Sequence, residues 1–205
     1  MFLKQLKSLV ENEKNVYTLD ELLNIFESNN IAVFLVLVTI ITSIPLPPWG
    51  GGFETIPGGV LSIFLALQGL VGMKKAYFPS FIRNIEFDLG FVKKSKYTKK
   101  TIEWFDETLK EDRYKWVLND VTEKIMYLLV IPNALLMIVP ILFTNGPPSQ
   151  CITLLTMSWL LHDGFYFLLM IGISILVVLM YIVLFFMFGN FLYKTRKCWT
   201  FGLWK

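Results

Sequence analysis

Five side chains in this 205-residue sequence are candidates for chemistry by type and surroundings: Glu54, Gln68, Asn145, His162 and Asp163. Each lies in or beside an apolar run, where a polar group needs a partner or a purpose. Residues 31–73 and 125–193 hold no charged side chain other than Glu54 and Asp163. An aspartate at the centre of a membrane span costs about 2.5–3.5 kcal/mol on insertion scales, which makes Asp163 the sharpest candidate. Two roles stand for it. One is N-cap of the helix that follows, at an interface where backbone N–H groups satisfy the carboxylate. The other is a carboxylate on an ion or solute pathway. His162 is of the type that changes charge near physiological pH, but as the only histidine it makes no multi-histidine metal site. An interfacial polar group is its simpler reading.

Glu54 sits beside Thr55 in a glycine-rich passage. If that passage dips into a membrane, Glu54 lines a cavity and meets a cation or the Asn145 of the second half. If it reaches water, Glu54 is an exposed loop acid. The stronger version has Glu54, Asn145 and Gln68 converging near mid-membrane. Nothing else carries a catalytic signature: there is no P-loop, no Gly-x-Ser-x-Gly and no Cys/His cluster. The expectation is a protein that is not an enzyme, with no cofactor and no metal centre. Cys151 and Cys198 form neither a disulfide framework nor a metal spacing. A net charge of +3 leaves no nucleic-acid footprint.

The elements that must position these residues follow from where charge is missing. The composition is 55% hydrophobic and 17% charged, against roughly a quarter charged in ordinary soluble domains. A chain this short cannot bury so much apolar length in a soluble core, so the sequence reads as an integral membrane protein. Its N-terminus, with Glu11, Asn12 and Glu13 close behind, is too polar for a signal peptide. Phe2, Leu3, Leu6, Leu9 and Val10 fall at helical spacing. Thr18 with Glu21 forms a capping box for a second short helix.

Residues 31–44 are apolar and extend only about 21 Å as a helix, short of a hydrocarbon core of roughly 30 Å. Pro45-Leu46-Pro47-Pro48-Trp49-Gly50-Gly51-Gly52 then breaks the run, and Pro57 opens another that Lys74-Lys75 ends. The layout returns at 125–143, which holds Pro132 and Pro140, followed by a turn through Pro148 and a run ending at His162-Asp163-Gly164. A slide of 91 positions sets Pro57 on Pro148 and Gly72 on Asp163. Short Pro/Gly-interrupted apolar segments at matching places in two halves point to a central site of transporter type; two ordinary helical hairpins with proline turns would give the same pattern. Residues 165–193 form one long uncharged stretch, able to span with tilt or to kink near Gly172.

Residues 74–124 are the main polar part. Lys93, Lys94, Lys96, Lys99 and Lys100 cluster there, and 101–124 reads as an amphipathic helix. The cluster is either a contact for anionic lipid headgroups or a solvated, positive-inside face. The positive-inside tendency sets both this segment and the basic tail (Lys194, Arg196, Lys197) in the cytoplasm. Five spanning segments cannot satisfy that with a cytoplasmic N-terminus, so the expectation is a re-entrant short segment or a divided last helix.

At its proline turns the sequence resembles the ExoD family of bacterial membrane proteins associated with exopolysaccharide synthesis. The first match is Ile44-Pro45-Leu46-Pro47-Pro48-Trp49-Gly50-Gly51-Gly52, then Ile56-Pro57 and Gln68-Gly69-Leu70-Val71-Gly72-Met73-Lys74, with Phe78-Pro79 where the family usually has Leu-Pro. The second is Pro140, Phe143, Asn145 and Pro148, with Asp163-Gly164 following. Leu142, Thr144 and His162 depart from the residues the family pattern leads one to expect. The resemblance implies a bacterial inner-membrane, multi-pass protein serving exopolysaccharide synthesis or export. It would either translocate a small ion, lipid or precursor, or act as a non-transporting scaffold of a polysaccharide-synthesis complex.

The resulting expectation is all-α: amphipathic helices in 1–30, a first membrane hairpin in 31–79, a polar segment in 80–124, a second hairpin in 125–162, and a last helix with basic tail in 163–205. Pro45, Pro47, Pro48, Pro57, Pro140 and Pro148 are its structural turns. The small number of apolar segments favours a homodimer.

Overall fold

The computed structural model describes residues 14–26, 30–43, 55–84, 86–88, 113–139 and 146–202, with isolated positions between 5 and 12 and between 90 and 109. The elements are β1 (Val16–Thr18), α1 (Leu19–Ile25), α2 (Asn30–Ser43), α3 (Thr55–Leu70), α4 (Ser80–Arg83), β2 (Glu86–Asp88), a 3-10 turn (Lys115–Val117), α5 (Asp120–Ile138), α6 (Gly146–Leu160) and α7 (Gly164–Gly202). Helix dominates, as the composition requires. Of Pro45, Pro47, Pro48, Pro140, Glu54, Asn145, Lys93, Lys94, Lys96 and Lys99, all lie outside the described residues, while Lys100 is described and exposed.

Thr18 caps α1 as its spacing from Glu21 demands. Its hydroxyl accepts the Glu21 amide at 3.2 Å, and its own amide donates to the Glu21 carboxylate at 3.2 Å. Lys14 donates to both oxygens of that carboxylate at 2.7 Å and holds it below the usual carboxylate range. The expected helical architecture holds, with one short ribbon added to it. β1 pairs antiparallel with β2, Tyr17 opposite Phe87, and ties the N-terminal part to the polar segment. Strands of three residues show too little alternation to register in a sequence.

Helices α2, α3, α5 and α6 close a four-membered ring. α3 packs on α5, α2 on α6, and the partners within each hairpin touch each other. Neighbours run antiparallel. A Cβ at Gly59 would lie 2.7 Å from the Ala134 carbonyl, a Cβ at Gly69 would meet the Tyr127 ring, and one at Gly58 would meet Thr42. Glycine thus sets how closely α3 approaches both neighbours. This register sends the chain off the same end of the ring at Ser43/Thr55 and at Ile138/Gly146. The N-terminal elements and residues 71–84 and 113–119 occupy the other end. Leu35, Leu65, Met126, Met137, Ile152 and Leu155 fill the centre, each at most 1% exposed.

Several boundaries move. Pro57 and Pro148 are not in turns but in the first turns of α3 and α6, where a missing N–H costs nothing. Pro132 lies inside α5 without ending it. The helix expected over 101–124 is broken: Tyr114 is left-handed (φ 54°) and the 3-10 turn follows. α5 then starts at Asp120, because the Asn119 side chain accepts the amides of Val121 and Thr122 at 3.0 and 3.1 Å. Asn119, rather than the first apolar residue, decides where the helix begins.

The last helix is not divided. α7 runs unbroken through Gly172, whose surroundings are open, and its 39 residues span about 58 Å. It starts at the polar end, packs along α6 and α5, and carries the basic tail toward the opposite end. Apolar residues face outward along it, with Leu176 65% and Phe186 72% exposed. Residues 120–138 and 164–190 are long and apolar enough to cross a membrane, and 30–40 and 56–70 are shorter apolar helices.

Candidate functional site

The polar end of the ring is organised by Asp163. α6 stops there: the Asp163 amide donates to Ser158 O at 2.9 Å, that of His162 to Trp159 O at 3.1 Å, and His162 is left-handed at φ 57°. This is a Schellman stop. The Asp163 carboxylate, fully buried, restarts the chain as α7. Its Oδ1 accepts the amides of Phe165 and Tyr166, both at 3.1 Å. Of the two roles open to Asp163, the geometry matches the cap.

Its charge is met by Arg113, whose Nε donates to Oδ1 at 3.1 Å and Nη2 to Oδ2 at 2.8 Å. The guanidinium also lies 4.6 Å from the Phe165 ring centre and 5.0 Å from that of Tyr166. A two-pronged pair backed by two amides and two aromatic faces meets the conditions under which a buried carboxylate is tolerated. The Gly164 amide donates to Arg113 O at 2.6 Å, and a Cβ at Gly164 would strike the Tyr114 carbonyl. The sequence does not single out Arg113. An isolated acid signals that a cation is needed, but nothing in the spacing selects one among the 12 basic residues of 74–124.

His162 is exposed beside this pair. Gln68 is at the same end, buried, its Oε1 accepting the Tyr77 amide at 2.6 Å and its Nε2 donating to Tyr77 O at 3.1 Å. It therefore stands about 20 Å along α3 from Thr55. The structure does not bring Gln68 to the hairpin ends that Glu54 and Asn145 adjoin in sequence.

A second polar feature is a set of buried uncharged groups between the helices. Every one of α2, α3, α5, α6 and α7 contributes a hydroxyl or amide that is at most 6% exposed: Thr39, Ser62, Asn133, Thr153 and Ser174. Thr153 Oγ1 donates to Thr39 Oγ1 at 2.7 Å, joining α6 to α2. Asn133 Nδ2 donates to Ser174 Oγ at 2.7 Å and to Leu129 O at 2.8 Å, joining α5 to α7. The contacts of Gly59 and Gly69 with α5 place Ser62 about level with Asn133. Ser62 Oγ and Asn133 Oδ1 have no hydrogen-bond partner, an outcome that costs about 1–3 kcal/mol per buried group. Among the described residues there is no group of three or more His, Cys, Asp or Glu able to hold a metal ion. The sequence signal for this layer is weak, since single Ser, Thr and Asn residues in apolar helices are common glue between helices.

Taken together, a ring of apolar helices with an outward apolar surface, an anchored polar face and a buried polar layer defines a helical membrane protein. A family model described as "Exopolysaccharide synthesis, ExoD" matches residues 2–186, and the chain belongs to that family. The resemblance read at the proline turns thus holds over most of the chain, and it connects the protein to exopolysaccharide synthesis. No curated protein and no solved structure matches the chain.

Proposed function

We propose that this protein is a multi-pass protein of the bacterial inner membrane that serves exopolysaccharide production by passing a small ion across its buried polar layer. The observation that carries the reading is the pair of unpartnered atoms, Ser62 Oγ and Asn133 Oδ1, in an otherwise bonded layer supplied by all five apolar helices. Uncharged oxygens facing a protein-lined interior are the groups that replace water around a small cation. The two hairpins leave the ring in the same direction, as in parallel repeats related by an axis along the membrane normal. A slide of 91 matches the starts of α3 and α6, while their left-handed stops, Gly72 and His162, match at 90. The layer would then sit at the junction of two like halves. No step requires a catalytic group or cofactor, and a homodimer supplies the additional helices that alternating access calls for.

A second reading draws on the folded polar end. The β1–β2 ribbon and the Arg113–Asp163 pair fasten the polar segment to the helices, which suits a surface that binds a synthesis complex or, through Lys93, Lys94, Lys96, Lys99 and Lys100, anionic headgroups. Complementation of a strain lacking the gene separates the two. Loss of exopolysaccharide with Asn133→Leu, and retention when the five lysines are neutralised, is expected for ion passage. The reverse pattern favours the scaffold.

A further inference from the structure

A cavity of about 620 Å³ opens on the outer side of the α2–α3 hairpin, within the roughly 300–1,000 Å³ of ligand sites. All its lining side chains are apolar. Its floor is buried, with Leu22 at 4%, Phe34 at 4% and Phe78 at 3% exposed, whereas the wall residues Val60 and Phe64 are 54% and 39% exposed. At the polar end the Phe34, Phe64 and Phe78 rings brace one another, at 5.7 Å between Phe34 and Phe78 and 6.2 Å between Phe64 and Phe78. Water would find no partners along such a surface.

Phe78 and Pro79, directly before α4, line the cavity at its polar end. There Arg83 donates from Nε to Phe78 O at 3.1 Å, which holds the guanidinium beside the opening. Its terminal nitrogens have no partner among the described residues. The nearby acids of α1 are engaged elsewhere: Glu21 with Lys14 at 2.7 Å, and Asp20 with Asn24 at 3.5 Å. Neither α2 nor α3 has an acidic residue in its first turn.

We infer that this groove binds one phospholipid with an anionic headgroup, an acyl chain lying between α2 and α3 and the phosphate taken by Arg83. A slot without polar atoms fits a hydrocarbon chain, and a planar guanidinium with two free prongs fits phosphate oxygens. The inference rests on the membrane placement of the chain and is independent of ion passage, which stands or falls on Asn133.

The test is native mass spectrometry of the detergent-purified full chain, titrated with phosphatidylglycerol and with phosphatidylcholine. Wild type is expected to retain one phosphatidylglycerol about tenfold more tightly than phosphatidylcholine, the scale of one charge-assisted bond. Arg83→Gln removes that preference but leaves basal lipid binding. Val60→Trp, at an exposed wall position, removes retention of both lipids, and Ile56→Trp does the same should the first variant be poorly folded. Glycerol 3-phosphate does not compete, because the chain supplies the anchoring. Equal retention of the two lipids, a preference that survives Arg83→Gln, competition by glycerol 3-phosphate, or a dimer that Val60→Trp dissociates without lipid release would each overturn the assignment.

Discussion

Helices α3 and α6 stop in the same way and continue in opposite ways. Each ends on a left-handed residue, Gly72 or His162, with the next amide bonded back to Gln68 O or Ser158 O. After Gly72 comes exposed Met73 and the polar segment. After His162 comes fully buried Asp163, which starts α7 at once. Both sites also fasten the polar segment to the ring. Gln68 does so with two neutral bonds to the Tyr77 backbone, and Asp163 with a two-pronged ion pair to Arg113. The backbone stop is common to both; the side chain after it decides whether the chain leaves the ring or turns back along it. The difference also assigns the energetic weight, because an unmatched buried charge costs more than an unmatched buried amide.

Removing the cation is therefore the largest disruption. Arg113→Met strands Asp163 and is expected to cost about 3–5 kcal/mol in thermal or denaturant unfolding in detergent. Adding Asp163→Leu should restore part of that loss, since the pair couples directly; a double variant no better than the single would break the ionic side of the comparison. The neutral fastening is weaker. Gln68→Ala leaves the Tyr77 amide and carbonyl without their partner and is expected to cost about 1–3 kcal/mol by the same measurement. A loss equal to that of Arg113→Met would erase the distinction. The smallest effect comes from the stops themselves. Gly72→Ala, with open space around it but φ +87°, should destabilise by about 1–2 kcal/mol. His162→Gly relieves the same conformation and should move the melting temperature upward. Opposite signs at the two positions are the check.

Much of this architecture is legible from residue types. The apolar segments, the Thr18–Glu21 box and the importance of Asp163 follow from missing charge and from spacing. Others do not, for physical reasons. Arg113 is fifty positions from Asp163, and only the folded path of the polar segment selects it. Asn119 begins α5 ahead of the apolar run because a cap obeys backbone hydrogen bonding, not hydropathy. Pro57 and Pro148 look like turn residues, yet proline fits the first turn of a helix equally well. The polar layer is hidden by its chemistry: Thr39, Ser62, Asn133, Thr153 and Ser174 carry no charge, and their common level emerges only from the register of packed helices. Asp163, the acid that stands out by charge among the described residues, caps α7, and uncharged groups make up the buried layer between the helices.

We propose above that this uncharged layer is a route for small ions. Ion flux into proteoliposomes containing the purified chain, read with internal proton- and sodium-sensitive dyes, tests it most directly. Wild type is expected to carry one of these cations, and Asn133→Leu to abolish the flux while the melting temperature confirms that the variant remains folded. Wild-type liposomes no more permeable than empty ones, or undiminished flux in Asn133→Leu, would contradict it.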